Sequence, residues 1–133
     1  MARRLTGIAV DGRPTAKHYK ELLIWQKGML LAKGVYGLTA SFPADERFGL
    51  VSQMRRAAIS VPSNIAEGQA RQGTREFLQF LSHASGSPAE LETQLLLSID
   101  LAYCMKGDAD EVDGLIAGLQ KMIAALRRSL EDR

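Results

Sequence analysis

The chain has 133 residues, of which 46% are hydrophobic, and its formal net charge is +2. This length predicts one domain with a single core, and the composition argues against an intrinsically disordered chain. The single cysteine, Cys104, excludes a disulfide framework and favours a reducing, cytoplasmic location. No apolar run reaches the roughly 18 residues that a membrane-spanning helix needs, so no membrane partner is expected.

The charged residues are unevenly distributed along the sequence. Residues 1–20 and residues 47–75 each hold five basic side chains against one acidic side chain. Residues 106–113 hold four acidic side chains against one basic side chain. The first fifteen residues show no hydrophobic period, so we expect a flexible basic tail over 1–15 and a folded domain over 16–130.

Two helices are predicted in the first half of the domain. The first runs from about Ala16 to Thr39, and its apolar residues form two adjacent stripes, wider than one partner helix requires. The second begins near Pro43 and ends at Gly68, because glycine commonly follows the last helical residue. Phe48 is predicted to belong to its buried face.

Two further helices are predicted in the second half. The third opens with Thr74 as its N-cap and runs to Met105, either continuous and kinked at Pro88 or divided there. A continuous helix is favoured because the apolar stripe keeps its phase across Pro88. The fourth opens with a capping-box-like pair, Asp108 and Glu111. Its apolar residues then recur in alternating threes and fours, at Val112, Leu115, Ile116, Leu119, Met122, Ile123, Leu126 and Leu130.

No β-strand pattern is present in the sequence. Four helices joined by short connections predict an all-α fold, an antiparallel up-down-up-down four-helix bundle with a kinked second helix.

The second helix contains the least generic segment of the chain, QMRRAAISVPSNIAEG over residues 53–68. Pro62 removes a hydrogen bond to the carbonyl of Ala58 and costs about 3 kcal/mol unless other contacts offset it. We expect Asn64 to donate to that carbonyl. Glu67, the last residue but one of the segment, is a candidate for ion pairing beside the kink.

The arginines of this region have two interpretations. Arg55 and Arg56 point about 100° apart on a helix, so one faces inward. In the structural interpretation the inner arginine pairs with a glutamate of the third helix, Glu90 or Glu92. In the functional interpretation a basic band contacts nucleic-acid phosphates. The members of this band are Arg55, Arg56, Arg71 and Arg75.

The sequence offers no pattern for catalysis or for a cofactor. Neither His18 nor His83 has a histidine or cysteine three or four residues away, and the Glu-x-x-His pairs of carboxylate metal bundles are absent. No glycine-rich phosphate loop or nucleophile elbow occurs. Cys104 lies in an apolar context and is interpreted as a packed thiol. We therefore expect no metal, no cofactor and no enzymatic activity.

One family resemblance covers about residues 19–126. The segments GLVSQMRRAAISVPSNIAEGQAR and REFLQFLSHASGSPAELETQLLLSIDLAY resemble the four-helix-bundle proteins encoded in intervening sequences of bacterial 23S ribosomal RNA genes. The resemblance implies a bundle that assembles as a ring-like homopentamer. It also implies kinship with the accessory variability determinant of diversity-generating retroelements, a basic protein that binds nucleic acid and a reverse transcriptase.

Two functions follow as hypotheses. In the first, the protein is a non-enzymatic homo-oligomer that binds RNA, DNA or a nucleic-acid enzyme through the basic band and tail. In the second, it is a structural oligomer whose arginines form ion pairs between subunits. Surplus apolar surface on the first and third helices supports an oligomer in both hypotheses.

Overall fold

A computed structural model describes residues 19–71 and 73–131, so the predicted tail over 1–15 lies outside the described residues. The described part contains four α-helices and no strand, which confirms the all-α class. Short 3-10 turns precede the first two helices. The helices are α1 (Leu23–Thr39), α2 (Leu50–Ala70), α3 (Thr74–Asp100) and α4 (Lys106–Glu131).

The four helices surround one apolar core. Helix α2 packs on α1 and α3, and α4 packs on α3 and α1, whereas the diagonal pairs do not touch. Each helix buries one stripe. The second apolar stripe predicted on α1 is not buried, because it lies beside the core: Trp25, Met29 and Ala32 are half-buried and Tyr36 is exposed. The clearest stripe is on α4, where buried residues alternate in threes and fours. They are Ala109, Val112, Ile116, Leu119, Ile123, Leu126 and Leu130.

The connection before α2 differs from the prediction. The helix begins at Leu50 instead of near Pro43, because Pro43 leads into a 3-10 turn at Ala44–Glu46. The Glu46 carboxylate then accepts a hydrogen bond from the Leu50 N–H at 3.1 Å, which satisfies one of the free donors at the helix start. Phe48 consequently lies in the connection and is 90% exposed, so its predicted burial is wrong.

Helix α3 is continuous through Pro88, as the phase of its apolar stripe predicts. It ends at Asp100 instead of Met105, because Ala102 adopts a left-handed conformation with φ of 62°. Two backbone hydrogen bonds close this end, from the Ala102 N–H to Ile99 O and from the Tyr103 N–H to Ser98 O, each 2.9 Å long. Both are the bonds of a Schellman motif.

Helix α4 begins at Lys106, two residues before the predicted start. Asp108 lies in its first turn instead of capping it. The Asp108 carboxylate reaches back and accepts a hydrogen bond from the Met105 N–H at 3.1 Å. This contact is the reciprocal half of a capping box.

Gly68 has a packing role that the sequence did not indicate. It lies inside α2, which continues to Ala70, so the prediction that it ends the helix is wrong. A Cβ atom at Gly68 would lie 2.7 Å from Cδ1 of Phe77 and 2.9 Å from Cβ of Phe80. The missing side chain therefore lets α2 and α3 cross closely. Thr74 is the first residue of α3, and Gly73 occupies the N-cap position in its place.

Candidate functional surfaces

Pro62 is buried where α2 meets α1. A Cβ atom at Gly28 of α1 would lie only 3.2 Å from Cδ of Pro62, so this glycine admits the proline ring. Asn64 donates to the carbonyl of Ser60 at 2.7 Å, and not to Ala58 as predicted. The contact with α1 offsets part of the hydrogen bond that the proline removes from the helix.

Arg55 is the inward arginine, and it faces α1. Its Nε donates to Oγ1 of Thr39 at 3.0 Å, and its guanidinium carbon lies 4.4 Å from the ring centroid of Tyr36. Arg55 makes no ion pair with Glu90 or Glu92 among the described residues, because its guanidinium is turned toward α1 whereas both glutamates lie on α3. Arg55 therefore connects the start of α2 to the end of α1 through a hydrogen bond and a cation–π contact.

The other predicted residues of this region lie either in solvent or at what we call the polar seam, the line of polar side chains where α2 and α3 meet. Arg56 and Glu67 are exposed on α2, whereas Glu92 is half-buried on α3. Glu90 accepts a hydrogen bond from the Gln94 amide at 3.2 Å. The hydroxyl groups of two serines, one on α2 and one on α3, also hydrogen-bond across this seam. These contacts give the seam a structural role.

The predicted basic band is not one surface. Arg55 lies in the second turn of α2 and Arg71 lies directly after its last residue. They are sixteen residues apart, which corresponds to about 24 Å along the helix axis. Arg71 and Arg75 do lie together, one on each side of the α3 start, and both are exposed. The structure therefore separates a structural arginine near one end of the bundle from two surface arginines near the other.

Contacts between helices define these two ends. Gly28 lies level with Pro62, and the hydroxyl of Ser60 meets that of Ser87. Arg127 on α4 donates to Ser85 on α3 at 3.2 Å. What we call the basic end comprises residues 19–31, 60–71, 73–87 and 119–131. What we call the acidic end comprises residues 32–59 and 88–118.

The two ends carry opposite net charge. The basic end holds seven basic and four acidic residues, a net charge of +3. The acidic end holds five basic and nine acidic residues, a net charge of −4. Residues 1–18, which precede Tyr19 in the sequence, contain four basic residues and one acidic residue. The basic side chains of the basic end are Lys20, Lys27, Arg71, Arg75, Lys121, Arg127 and Arg128.

An open depression of about 310 Å³ lies on α3 at the basic end. Its lining includes the rings of Phe80 and His83, whose centroids are 6.2 Å apart at an angle of 63°. The guanidinium carbon of Arg71 lies 5.2 Å from the Phe80 centroid. None of the patterns predicted from the sequence includes this group, although two rings three residues apart on a helix and close to an arginine form a recognisable signal.

The acidic end has a larger open cleft of about 500 Å³ between α1 and the connection from α3 to α4. Tyr103 on its wall donates to Oε2 of Glu46 at 2.7 Å. This hydrogen bond, and then the one from the Leu50 N–H, lowers the pKa of Glu46. The hydrogen bond to Glu46 is also the main cause that raises the pKa of Tyr103. Burial, and then the charge of Asp108, raises the pKa of Cys104, so its thiol is a poor nucleophile at neutral pH.

The described residues lack the groups that a metal site and a membrane span would need. Residues 19–71 and 73–131 contain no group of three or more His, Cys, Asp or Glu side chains that would hold a metal ion. Within the same ranges no helix is long and apolar enough to cross a membrane.

The fold and surfaces define a small helical-bundle protein with charged ends and partly apolar sides. Residues 20–125 match the family of the 23S rRNA-intervening sequence protein, so the chain belongs to that family, and the predicted resemblance is confirmed. No curated protein matches the chain.

A solved structure shows the same fold. It is the crystal structure of a protein of unknown function from the S23 ribosomal protein family of Bacteroides thetaiotaomicron. It superposes with a TM-score of 0.71 at 19% sequence identity, over 79% of this chain and 98% of that chain. At this identity the likeness extends to the fold alone.

Proposed function

We propose that this protein is a non-enzymatic, ring-forming oligomer, a homopentamer, that binds RNA at its basic end. The observation that carries the assembly is a pair of exposed apolar stripes on helices that do not touch each other. Leu23 and Leu30, seven residues apart on α1, are 57% and 49% exposed. Leu97 and Leu101, four residues apart at the end of α3, are 47% and 46% exposed.

The placement of these stripes favours a ring. Because α1 and α3 are diagonal in the bundle, their outer faces point in different directions. A subunit that offers its α1 stripe to the α3 stripe of the next forms a head-to-tail interface, which closes into a ring when the rotation permits. A stripe that paired with its own copy would instead stop at a dimer. The family resemblance supports five subunits.

A ring of this kind would concentrate the charge of each subunit. Cyclic symmetry repeats the basic end of each subunit at equivalent positions around the ring. The ring would then carry five equivalent positive patches, to which a polyanion is attracted by its phosphates. This charge separation supports RNA as the partner, although the net charge of the whole chain is only +2.

The antiparallel order of the helices and a bend of α2 at Pro62 belong to the same proposal. Gly28, early in α1, meets Pro62, late in α2, and Met54, early in α2, meets Ser98, late in α3. Early residues meeting late residues support antiparallel neighbours. A cytoplasmic location completes the proposal, and the lone cysteine supports it.

Mass measurement in solution tests the assembly. We expect five times the mass of one chain, and we expect Leu30→Asp or Leu97→Asp alone to give monomers, because each change breaks every interface of the ring. Ala117→Asp, at an exposed position of α4 away from both stripes, is the control and should leave the ring intact. A wild-type monomer at micromolar concentration would contradict the assembly, and absence of RNA binding at low salt would contradict the partner.

The alternative is a purely structural oligomer without a nucleic-acid contact. Its specific support is Arg55, which is engaged by Thr39 and Tyr36 of its own chain. In that case Arg56 would pair with a carboxylate of a neighbouring subunit, and RNA at any salt concentration would leave the mass of the oligomer unchanged.

A further inference from the structure

We infer that the depression on α3 at the basic end binds an unpaired nucleotide of RNA, with its base against Phe80 and His83 and its phosphate at Arg75 or Arg71. This inference rests on the proposed RNA binding and specifies its site. It also specifies the form of RNA, because a base inside a duplex cannot reach such a surface.

The first step is the chemistry of the two rings. The Phe80 and His83 rings lie at 63° to each other with centroids 6.2 Å apart, so they form two walls of a corner. A nucleobase placed in this corner contacts one ring by its face and the other by its edge. Unpaired bases are commonly held by stacking on aromatic side chains, and the contact is tolerant of sequence because every base has a π-face.

The second step is the polar rim. Among the residues that the structure describes, Gln79 and Ser82 also line the depression. An amide and a hydroxyl group each both donate and accept hydrogen bonds, so they suit the mixed donor and acceptor edge of a base. The depression measures about 310 Å³ and is open to solvent. It therefore suits a single base that lies on the surface, and not a ligand that must be enclosed on all sides.

The third step is the surrounding charge. The guanidinium of Arg71 lies over Phe80 at 5.2 Å, so a plane for stacking and a cation for phosphate lie beside the same ring. Arg75 is exposed in the first turn of α3, one turn before Gln79 of the rim and therefore on the same face of the helix. The rest of the basic end then attracts the phosphates that flank the bound nucleotide.

The acidic end supplies a matched control. Arg47 lies over the ring of Phe48 at 5.5 Å, and Phe48 is 90% exposed. This pair repeats the arginine and the aromatic ring but lacks the second ring and the basic surroundings. If any exposed arginine and phenylalanine sufficed for binding, Phe48 would matter as much as Phe80.

The experiment measures the affinity of the full chain for a short single-stranded RNA of mixed sequence and for a duplex of the same length. The variants are Phe80→Leu, which keeps an apolar side chain against Gly68, and His83→Ala at an exposed position. Phe48→Leu is the control. Melting temperatures are recorded first, and His83→Ala alone decides if Phe80→Leu does not fold.

We expect each variant at the depression to weaken single-strand binding by about tenfold, the loss typical of one stacked base, and to leave duplex binding unchanged. The salt dependence should stay the same, because the phosphate contacts remain. The Phe48→Leu variant should bind like the wild type. Two results would overturn the nucleotide site while leaving RNA binding intact. One is that the Phe80→Leu and His83→Ala variants bind single strands as tightly as the wild type, and the other is that they lose equal affinity for single strands and for duplex. Wild-type protein that binds neither RNA would overturn the proposed function itself.

Discussion

The basic end and the acidic end each present an open cleft and an arginine over a phenylalanine ring, but in different electrostatic surroundings. At the basic end the pair is Arg71 and Phe80, in a region of net charge +3. At the acidic end it is Arg47 and Phe48, in a region of net charge −4. We therefore expect the arginine and phenylalanine pair to favour phosphate at the basic end and to disfavour it at the acidic end, because the electric field of the surrounding charges has opposite sign at the two ends.

The ends also differ in what their arginines do. Arg55 at the acidic end is held by a hydroxyl group and a ring of α1, whereas Arg75 at the basic end is exposed. The comparison separates an arginine that stabilises the fold from one that is available to a partner. The predictions below test this separation, from the largest expected effect to the smallest.

The largest effect is expected at Gly68, where the basic end is most closely packed. Gly68→Ala places a methyl group 2.7 Å from the buried Phe77 ring, and overpacking of this kind destabilises by about 1–3 kcal/mol. The control is Gly86→Ala in α3, which meets no atom within 4 Å and should stabilise the helix by up to about 1 kcal/mol. Denaturant unfolding at neutral pH measures both, and a Gly68→Ala protein as stable as the control would refute the packing role.

The second effect separates the two kinds of arginine. Arg55→Ala removes the hydrogen bond to Thr39 and the stacking on Tyr36, so we expect a loss of about 1–2 kcal/mol in the free energy of unfolding. Arg75→Ala should change it by less than about 0.5 kcal/mol, because the side chain is exposed. The affinity for RNA should show the reverse order, with a larger loss for Arg75→Ala than for Arg55→Ala. Equal losses of stability for the two variants would remove the distinction between them.

The smallest effect concerns pH at the acidic end. Folding lowers the pKa of Glu46, chiefly through the hydrogen bond from Tyr103, so this stabilisation is present above the ordinary carboxyl pKa and is lost as pH falls through the lowered value. Folding raises the pKa of Tyr103, so its stabilisation is present below the ordinary tyrosine pKa of about 10 and is lost as pH rises through the raised value.

The Tyr103→Phe variant isolates this contact. Compared with the wild type, it should unfold at slightly lower denaturant concentration near neutral pH, and the difference should shrink toward both extremes of pH. Thermal melts across the pH range measure the difference. A variant as stable as the wild type at every pH would contradict the role of the hydrogen bond and would show that Tyr103 acts through packing against Phe42, whose ring centroid lies 5.5 Å away and which the variant retains.

The regular parts of the fold were predictable from the sequence because they rest on periodicity. The stripe on α4 and the continuity of α3 through Pro88 both follow from the phase of apolar residues. The errors lie where one residue type has two uses. In the sequence, Gly68 fits equally well as the end of a helix or as a point where two helices cross closely. Only the position of Phe77 on α3 shows that the second role applies.

The candidate surfaces were harder to predict. Charge counts along the chain grouped Arg55 with Arg71, but the length of α2 separates them, and the rise per residue would have revealed this. The opposite charge of the two ends depends on which helix halves lie level, and that is a property of the packing. The corner formed by Phe80 and His83 depends on side-chain directions that spacing alone does not give.

The most direct test of the account is a charge reversal at each end, read out by RNA affinity. Arg75→Glu with Arg128→Glu reverses two exposed charges at the basic end, and Arg47→Glu with Lys106→Glu does the same at the acidic end. We predict that the first pair weakens single-strand binding more than about tenfold and lowers the salt slope by about 1.4, the value for two lost phosphate contacts. The second pair should change neither by as much. An equal or larger loss from the acidic-end pair would contradict the assignment of RNA binding to the basic end.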